Sequence, residues 1–313
     1  MVKIPWPGPS APYIRYFQIV HDVLEENIAA LVERSGKSRK DIAEGIKAQA
    51  AECSAQWFSG DVPAINYQNP LCRLSYLYAV VPATANLIQD IFANDELREH
   101  FRKVQKDKGT VSVCAFGGGP GTELLGISKW VETTKPKEPI FLEYLLLDRV
   151  NEWLDSWMAL KKQIESRFRK FYGKERQSWP LVVSGMFSAV DIKKPASLVN
   201  LGPIFDQDIY ILSYLVSEIF ANFEDLRNFT QQIADNAPKG AKFLFVDRKG
   251  PRWKEEITSL AKQAGIKLSA FNDTESYMDP PTEDVKDLGS LLKELGKYPK
   301  LTWKAFWVVG TKK

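Results

Sequence analysis

The chain has little with which to hold a metal or cross-link itself. Cys53, Cys72, Cys114, His21 and His100 are its only cysteines and histidines in 313 residues, and no CxxC occurs. That excludes a disulfide framework and argues against a structural zinc or His-rich site. No metal is expected, and the cysteines read as the reduced thiols of an intracellular protein. No run reaches the roughly 18–20 apolar residues that span a bilayer. Met1 to Pro12 is rich in proline and glycine. It has neither the apolar core of a signal peptide nor the Arg/Ser character of a transit peptide, and reads as an irregular arm. Neither sign of charge dominates: 42 Lys+Arg against 39 Asp+Glu leave +3. A total so near zero does not mark a nucleic-acid binder. These absences leave a soluble cytosolic or nuclear protein with no membrane partner as the expectation.

What is present is ordinary globular material, 44% hydrophobic and 26% charged. It suffices for one large α/β domain plus an extra segment. The first third has helical spacing throughout. Ile14, Phe17, Val20, Val23, Leu24, Ile28 and Leu31 recur on one face. Ser38 and Asp41 have the spacing of a capping box, which starts a second helix. Ser59–Pro63 is a break, and a further helical pattern covers Pro70–Phe101 with an interruption near Pro82. From a turn at Asp107–Gly109 the rhythm changes to strands alternating with helices. Strand candidates are Val111–Phe116, Phe141–Asp148, Leu181–Phe187, Asp208–Leu215, Ala241–Val246, Ile266–Phe271 and Leu301–Gly310. Helical patterns lie between them at Thr122–Val131, Val150–Phe171, Phe223–Asn236 and Trp253–Ala264. Such alternation implies βαβ units. The expected fold is α/β: a seven-stranded, doubly wound, mostly parallel sheet. Its last two strands, joined by Asn272–Lys300, form an antiparallel edge pair. An N-terminal helical segment, residues 1–105, precedes this domain, residues 106–313.

Between the first strand and its helix stands Phe116-Gly-Gly-Gly-Pro-Gly-Thr-Glu123. Glycines permit a sharp turn and close approach of a ligand to the backbone. The helix start beyond offers free N–H groups. The strand–loop–helix context is the one a phosphate or cofactor loop requires. No lysine follows the last glycine, so a triphosphate P-loop is disfavoured. Glu123 would repel a pyrophosphate but suits an ammonium or sulfonium group. A tight turn without ligand and a dinucleotide site remain the alternatives at this point.

The GGGPGTE segment resembles motif I of class I, Rossmann-like S-adenosylmethionine-dependent methyltransferases, and the likeness extends from about Thr110 to the C-terminus. A looser likeness, through GGGPGTEL, Leu74–Ala83 and Tyr214–Glu218, is to the fungal ribosomal RNA uridine N3 methyltransferase group. The class I resemblance implies S-adenosylmethionine as cofactor. It implies that Phe116, Gly117, Gly118, Gly119, Gly121 and Glu123 wrap its amino-acid part. Asp148, the acid ending the second strand, would hold the ribose hydroxyls, with Arg149 flanking the adenine. Val190 and Asp191 would meet the adenine edge. Ser213 and Tyr214, at the C-terminal end of the fourth strand, would line the methyl group or serve ordinary packing. The chain lacks [DN]PP[YF] and a Pro-Cys nucleophile, which disfavours amino methylation of adenine or glutamine and cytosine C5 methylation. In-line methyl transfer needs chiefly positioning and desolvation, so no catalytic base is assigned.

Three basic tracts, Arg34–Lys40, Lys161–Lys174 and Lys293–Lys304, are candidates for RNA phosphate contact or simply solvated helix ends. RNA is the acceptor they would serve, with a small molecule or a non-catalytic binding module as alternatives. Trp57, Trp153, Trp157 and Trp179 are candidates for packing or for a substrate pocket.

Overall fold

The computed structural model describes residues 13–58, 65–194, 202–219, 222–278 and 283–313, without the side chains of residues 55–58. The Met1–Pro12 arm, the Ser59–Pro63 break and the Trp57 side chain lie outside the described residues. Five helices come first: α1 (Tyr16–Ser35), α2 (Arg39–Phe58), α3 (Pro70–Ala79), α4 (Val81–Phe92) and α5 (Asp95–Lys108). The Ser38 box forms. Its Oγ accepts from the Asp41 N–H at 3.2 Å, and its own N–H donates to Asp41 Oδ2 at 3.2 Å. The pattern over Pro70–Phe101 resolves into three helices. The axes of α3 and α4 bend by 52°, because Pro82 has no N–H with which to continue the ladder of α3. Asn94 then caps α5, its side chain accepting from the Glu96 N–H at 3.1 Å. α5 ends at Lys108, with Gly109 left-handed at φ +79°. The expected turn at Asp107–Gly109 is therefore its C-cap, and a boundary at 105/106 falls inside it.

Strands and helices alternate from there: β1 (Thr110–Phe116), α6 (Thr122–Thr134), β2 (Ile140–Asp148), α7 (Trp153–Tyr172), β3 (Leu181–Ala189), β4 (Ile209–Ser213), α8 (Leu215–Ile219), α9 (Phe223–Asn236), β5 (Lys242–Arg248), α10 (Pro251–Gln263), β6 (Ile266–Leu268), β7 (Asn272–Tyr277), α11 (Ser290–Leu295) and β8 (Thr302–Lys312). The sheet order is β3-β2-β1-β4-β5-β8-β6. β1 to β5 pair in parallel, and β8 runs antiparallel to β5 and to β6. The expected doubly wound sheet with an antiparallel edge is thus the fold adopted, with one strand more. β7, inside the Asn272–Lys300 excursion, pairs with the first half of β8 while β6 pairs with its end.

Alternate residues of each strand enter different cores, as the period of two requires. Val111, Val113 and Ala115 of β1 pack with α4, α6 and α7. Cys114 and Phe116 pack with α9 and α10 on the other face. The N-terminal helices share the first of these cores; Phe17, Val20, Leu87 and Ile88 belong to the same buried cluster as Leu124 and Val113. α4 crosses α6 closely enough that a Cβ on Gly126 would stand 2.5 Å from the Ala85 carbonyl oxygen.

Buried polar groups fix the start of α1. Glu132 of α6 accepts from the N–H groups of Tyr13 and Ile14, both at 2.8 Å. Glu283 accepts from Tyr16 N–H at 2.9 Å and forms an ion pair with Lys129, whose Nζ lies 4.2 Å from the Tyr16 ring centre. Both members of that pair are out of water. Cys53 of α2 and Cys72 of α3 are free thiols with sulfurs 3.4 Å apart. Among the described residues no single helix is long and apolar enough to cross a membrane.

Removing one partner of a buried ion pair strands the other charge. Lys129→Met is expected to destabilise the chain by about 3–5 kcal/mol, read as a lower urea midpoint at unchanged slope. A loss under about 1 kcal/mol, the range of exposed pairs, would show that Glu283 does not depend on Lys129.

Candidate functional site

In an open α/β sheet, ligands bind beyond the carboxyl ends of the strands, where the strand order reverses. Here that point lies between β1 and β4. β1 leaves the sheet there through three glycines, Gly117, Gly119 and Gly121, at φ +64°, +50° and +90°. Side chains seldom adopt that region. The Gly117 N–H donates to the Leu147 carbonyl at 2.8 Å, and the Gly121 N–H closes the turn onto Gly118 O at 2.8 Å. α7 holds the loop in place. A Cβ on Gly121 would stand 2.5 Å from the Trp157 ring, and one on Gly119 would stand 3.5 Å from Trp153. Trp157 and Trp179 are core residues, 1% and 2% exposed. Trp153 meets Tyr67 and Tyr76 at ring distances of 5.6 and 5.7 Å, so an aromatic group stands over the glycine loop.

Asp148, the last residue of β2, binds that loop. Its Oδ2 accepts from the Gly119 N–H at 2.9 Å and its Oδ1 from the Val150 N–H at 2.8 Å. Burial still pushes its carboxyl up to about 6. Each oxygen keeps a second lone pair. Beside it opens a cavity of about 150 Å³, walled by Gly117, Leu147, Asp148, Arg149, Val190, Asp191, Ile192 and Lys193, and by Leu215, Glu218, Ile219 and Asn222. Five expected site residues meet in this wall: Gly117, Asp148, Arg149, Val190 and Asp191. The last four of the wall, from α8 and just beyond it, are additions. Leu215 and Glu218 carried a sequence signal, in the stretch Tyr214–Glu218; Ile219 and Asn222 carried none. The cavity is an apolar slot with carboxylates at its rim, chemistry suited to a nucleoside diol and amino group.

The remaining expected residues stand outside that wall. Phe116 turns its ring into the second core, stacked 6.2 Å from Tyr210 and edge-on 4.9 Å from Phe229; its backbone alone reaches the loop. Gly118 and Gly121 shape the turn. Glu123, 3% exposed in the first turn of α6, has no hydrogen-bond partner for Oε2 among the described residues. Burial raises its carboxyl to about 7. Ser213, close by at the end of β4, restrains that rise without closing a hydrogen bond; its own buried Oγ also lacks a partner. Tyr214 is held at φ +57°, rare for a bulky side chain and a mark of functional loops. Its N–H donates to the Val246 carbonyl at 2.7 Å, and its hydroxyl accepts from Trp303 Nε1.

Two more acids complete this edge. Asp247, ending β5, accepts from the Ser217 N–H at 3.0 Å and the Arg248 N–H at 2.7 Å, and burial raises it to about 6. Glu218 opens onto the cavity, yet the protein around it pushes its carboxyl up to about 7; nearby Arg248 lowers it and Asp148 raises it. Asp148, Glu123, Glu218 and Asp247 thus crowd the ends of four strands, an environment that favours a cationic ligand.

The three basic tracts are brought onto neighbouring elements, and α1 supplies acids to two of them. Arg39 pairs with Glu25 and with Glu294 of α11, at 2.6 and 2.8 Å. Lys162 pairs with Glu26 and Arg167 with Asp22, at 3.0 and 2.5 Å. Arg34 pairs with Asp155 at 3.1 Å. These cations tie α1, α2, α7 and α11 together.

A carboxyl whose value is raised on folding stabilises the fold below its unfolded value, near 4, and that contribution is lost as pH rises through the folded value. Glu123→Gln should therefore match the parent's melting temperature near pH 4, exceed it increasingly between about pH 5 and 7, and keep a constant excess above about pH 8. A difference independent of pH would show that Glu123 is ionised throughout.

No protein-family model matches the chain, and no curated protein matches it. Solved structures do. One is a SAM-dependent methyltransferase from Methanosarcina mazei, 8% identical, TM-score 0.39, covering 65% of this chain and 92% of that one. Another is precorrin-6y C5,15-methyltransferase from Geobacter metallireducens, 8% identical, TM-score 0.39, covering 71% and 89%. A third is an O-methyltransferase family protein from Burkholderia thailandensis, 10% identical, TM-score 0.45, covering 85% and 68%. At this level of identity the likeness is one of fold.

Proposed function

We propose that the chain binds S-adenosylmethionine and transfers its methyl group to a small-molecule acceptor. The observation that carries this reading is the Asp148 carboxylate. It binds the glycine loop through Gly119 and presents its remaining lone pairs beside an apolar slot. A ribose diol donates two hydrogen bonds to such a group. Leu147, Val190, Ile192 and Leu215 form the slot for an adenine, with Asp191 at its rim to accept from the amino group. The residues fit the cofactor in a second way: Glu123 is a buried acid with an unmet oxygen next to the loop, and a positive group satisfies it. When bound, the cofactor supplies an electrophilic methyl group on a sulfonium. Gly117 to Gly121 allow close backbone approach, and the aromatic group of Trp153, Tyr67 and Tyr76 excludes water above them.

RNA is the acceptor expected from the basic tracts. The ion pairs that occupy Arg34, Arg39, Lys162 and Arg167 favour the small-molecule alternative instead. A phosphate backbone would have to displace Asp155 of α7 and the acids of α1 from these cations.

Calorimetric titration with S-adenosylhomocysteine should show one site. Asp148→Ala should weaken it roughly 10- to 100-fold, the worth of one or two charge-assisted hydrogen bonds. No binding to the parent chain would overturn the cofactor reading. Labelled methyl transfer should then enter a metabolite extract and not total RNA. Incorporation into RNA would reverse the choice of acceptor, and incorporation into neither would leave a binding module.

A further inference from the structure

The helical layer carries two thiols that the working edge of the sheet does not use. Cys53 lies in the second half of α2 and Cys72 in the first turn of α3. The two helices pack side by side. At Gly45 of α2 an added Cβ would stand 2.6 Å from Leu71 Cδ1 of α3. One turn before Cys53, the Gln49 amide oxygen accepts from Asn69 Nδ2 at 3.3 Å. At Cys53 the contact is sulfur to sulfur, 3.4 Å. A disulfide needs about 2.05 Å, so an approach of about 1.4 Å closes the gap.

The two thiols are not equivalent. Cys53 is half-buried, whereas Cys72 is buried. A hydrogen bond from Cys72 holds the Cys53 thiol below its ordinary value, although burial opposes this. The same hydrogen bond, with burial, pushes the Cys72 thiol up. A reachable sulfur with the lower value, in contact with a second sulfur, is the arrangement of an attacking and a resolving cysteine. Cys114 is the contrast: it is fully buried in β1, and burial pushes its thiol up.

The chain between the two cysteines carries Tyr67. Its ring meets those of Tyr76 and Trp153 at 5.7 and 5.6 Å, and Trp153 stands against Gly119. Arg73, next to Cys72, donates to the Tyr67 and Gln68 carbonyls at 2.6 and 2.9 Å. The Tyr67 segment is thus held to α3 by Arg73 and to α2 by the Asn69–Gln49 bond. A covalent link from Cys53 to Cys72 closes these contacts into a ring.

We propose that Cys53 and Cys72 are a redox modification site: a hydroperoxide converts them to a reversible disulfide that fastens α2 to α3 and restrains the Tyr67 segment. The Cys53 thiolate attacks the hydroperoxide, forming an S–O bond as the O–O bond breaks; the departing oxygen takes a proton and leaves as an alcohol or water. The Cys72 sulfur then attacks the Cys53 sulfur. The S–S bond forms, the S–O bond breaks, and the hydroxide leaves as water with the Cys72 proton. Two thiols are oxidised by two electrons and one hydroperoxide is reduced by two. A dithiol reductant reverses the change by exchange.

Hydrogen peroxide added to the reduced full-length chain should remove two hydrogens from its intact mass. Digestion without reductant should then give one linked peptide pair, Cys53 to Cys72, and dithiothreitol should restore all three thiols. The oxidised chain should melt about 5 °C higher, since the closed ring constrains the unfolded chain. Amide exchange over residues 65–69 should be slower in the oxidised form than in the reduced one. Cys72→Ala should stop at a Cys53 sulfenic acid that dimedone traps, and Cys53→Ser should leave Cys72 a thiol. The parent's mass and peptide map decide the matter even if a variant folds poorly. Oxygen added to Cys53 without a link to Cys72, a link through Cys114, or thiols that peroxide leaves unchanged would each overturn the proposal. So would equal exchange over 65–69 in the two forms, because the ring would then restrain nothing.

Discussion

Burying a carboxylate costs several kcal/mol unless N–H groups or a cation meet it, and the working edge of this sheet is built around that constraint. Asp148 is met by Gly119 and Val150, Asp247 by Ser217 and Arg248, and Glu283 by the start of α1 and by Lys129. Asp208, before β4, is met by Ser112 and Lys108. In each case the acid fixes a piece of backbone. Asp148 fixes the glycine loop, Asp247 the short helix α8, and Glu283 the N-terminal layer. Glu123 breaks the pattern. One of its oxygens is buried without a partner, beside the glycine loop, and that oxygen is the one the proposed cofactor reading assigns to the ligand's positive group.

The parts of this arrangement that the sequence displays are those governed by local rules. The Ser38–Asp41 cap, the glycine loop and the strand–helix rhythm each follow from spacing over a few residues. β7 does not. Its sequence, NDTESY, has one buried residue and pairs only with β8. An edge strand with a solvated face carries no hydrophobic alternation to announce it. Over Pro70–Phe101 the break at Pro82 is legible from its missing N–H, whereas the second division, at the Asn94 cap, leaves the apolar spacing unbroken.

The same distinction runs through the site. Asp148 is legible as a candidate because it ends the strand beside the glycine loop, which its carboxylate binds through Gly119. Phe116 adjoins the loop in sequence but faces the opposite core, since Ala115 and Phe116 alternate across the sheet. Leu215, Ile219 and Asn222 enter the slot only because β4 lies beside β1, a long-range pairing with no local signature. The basic tracts look like a nucleic-acid surface in one dimension. In three, α1 places Asp22, Glu25 and Glu26 among them.

α7 ties the N-terminal helices to the glycine loop. Trp157 occupies the space left by Gly121 on one side and Gly185 of β3 on the other, where added Cβ atoms would stand 2.5 and 2.8 Å from its ring. α7 cannot move relative to the sheet without releasing the glycine loop. One turn earlier on the same helix, Trp153 packs against Tyr67 and Tyr76. Packing this dense transmits displacement instead of absorbing it. The helical layer is no separate lid over the sheet, because it already shares the sheet's core.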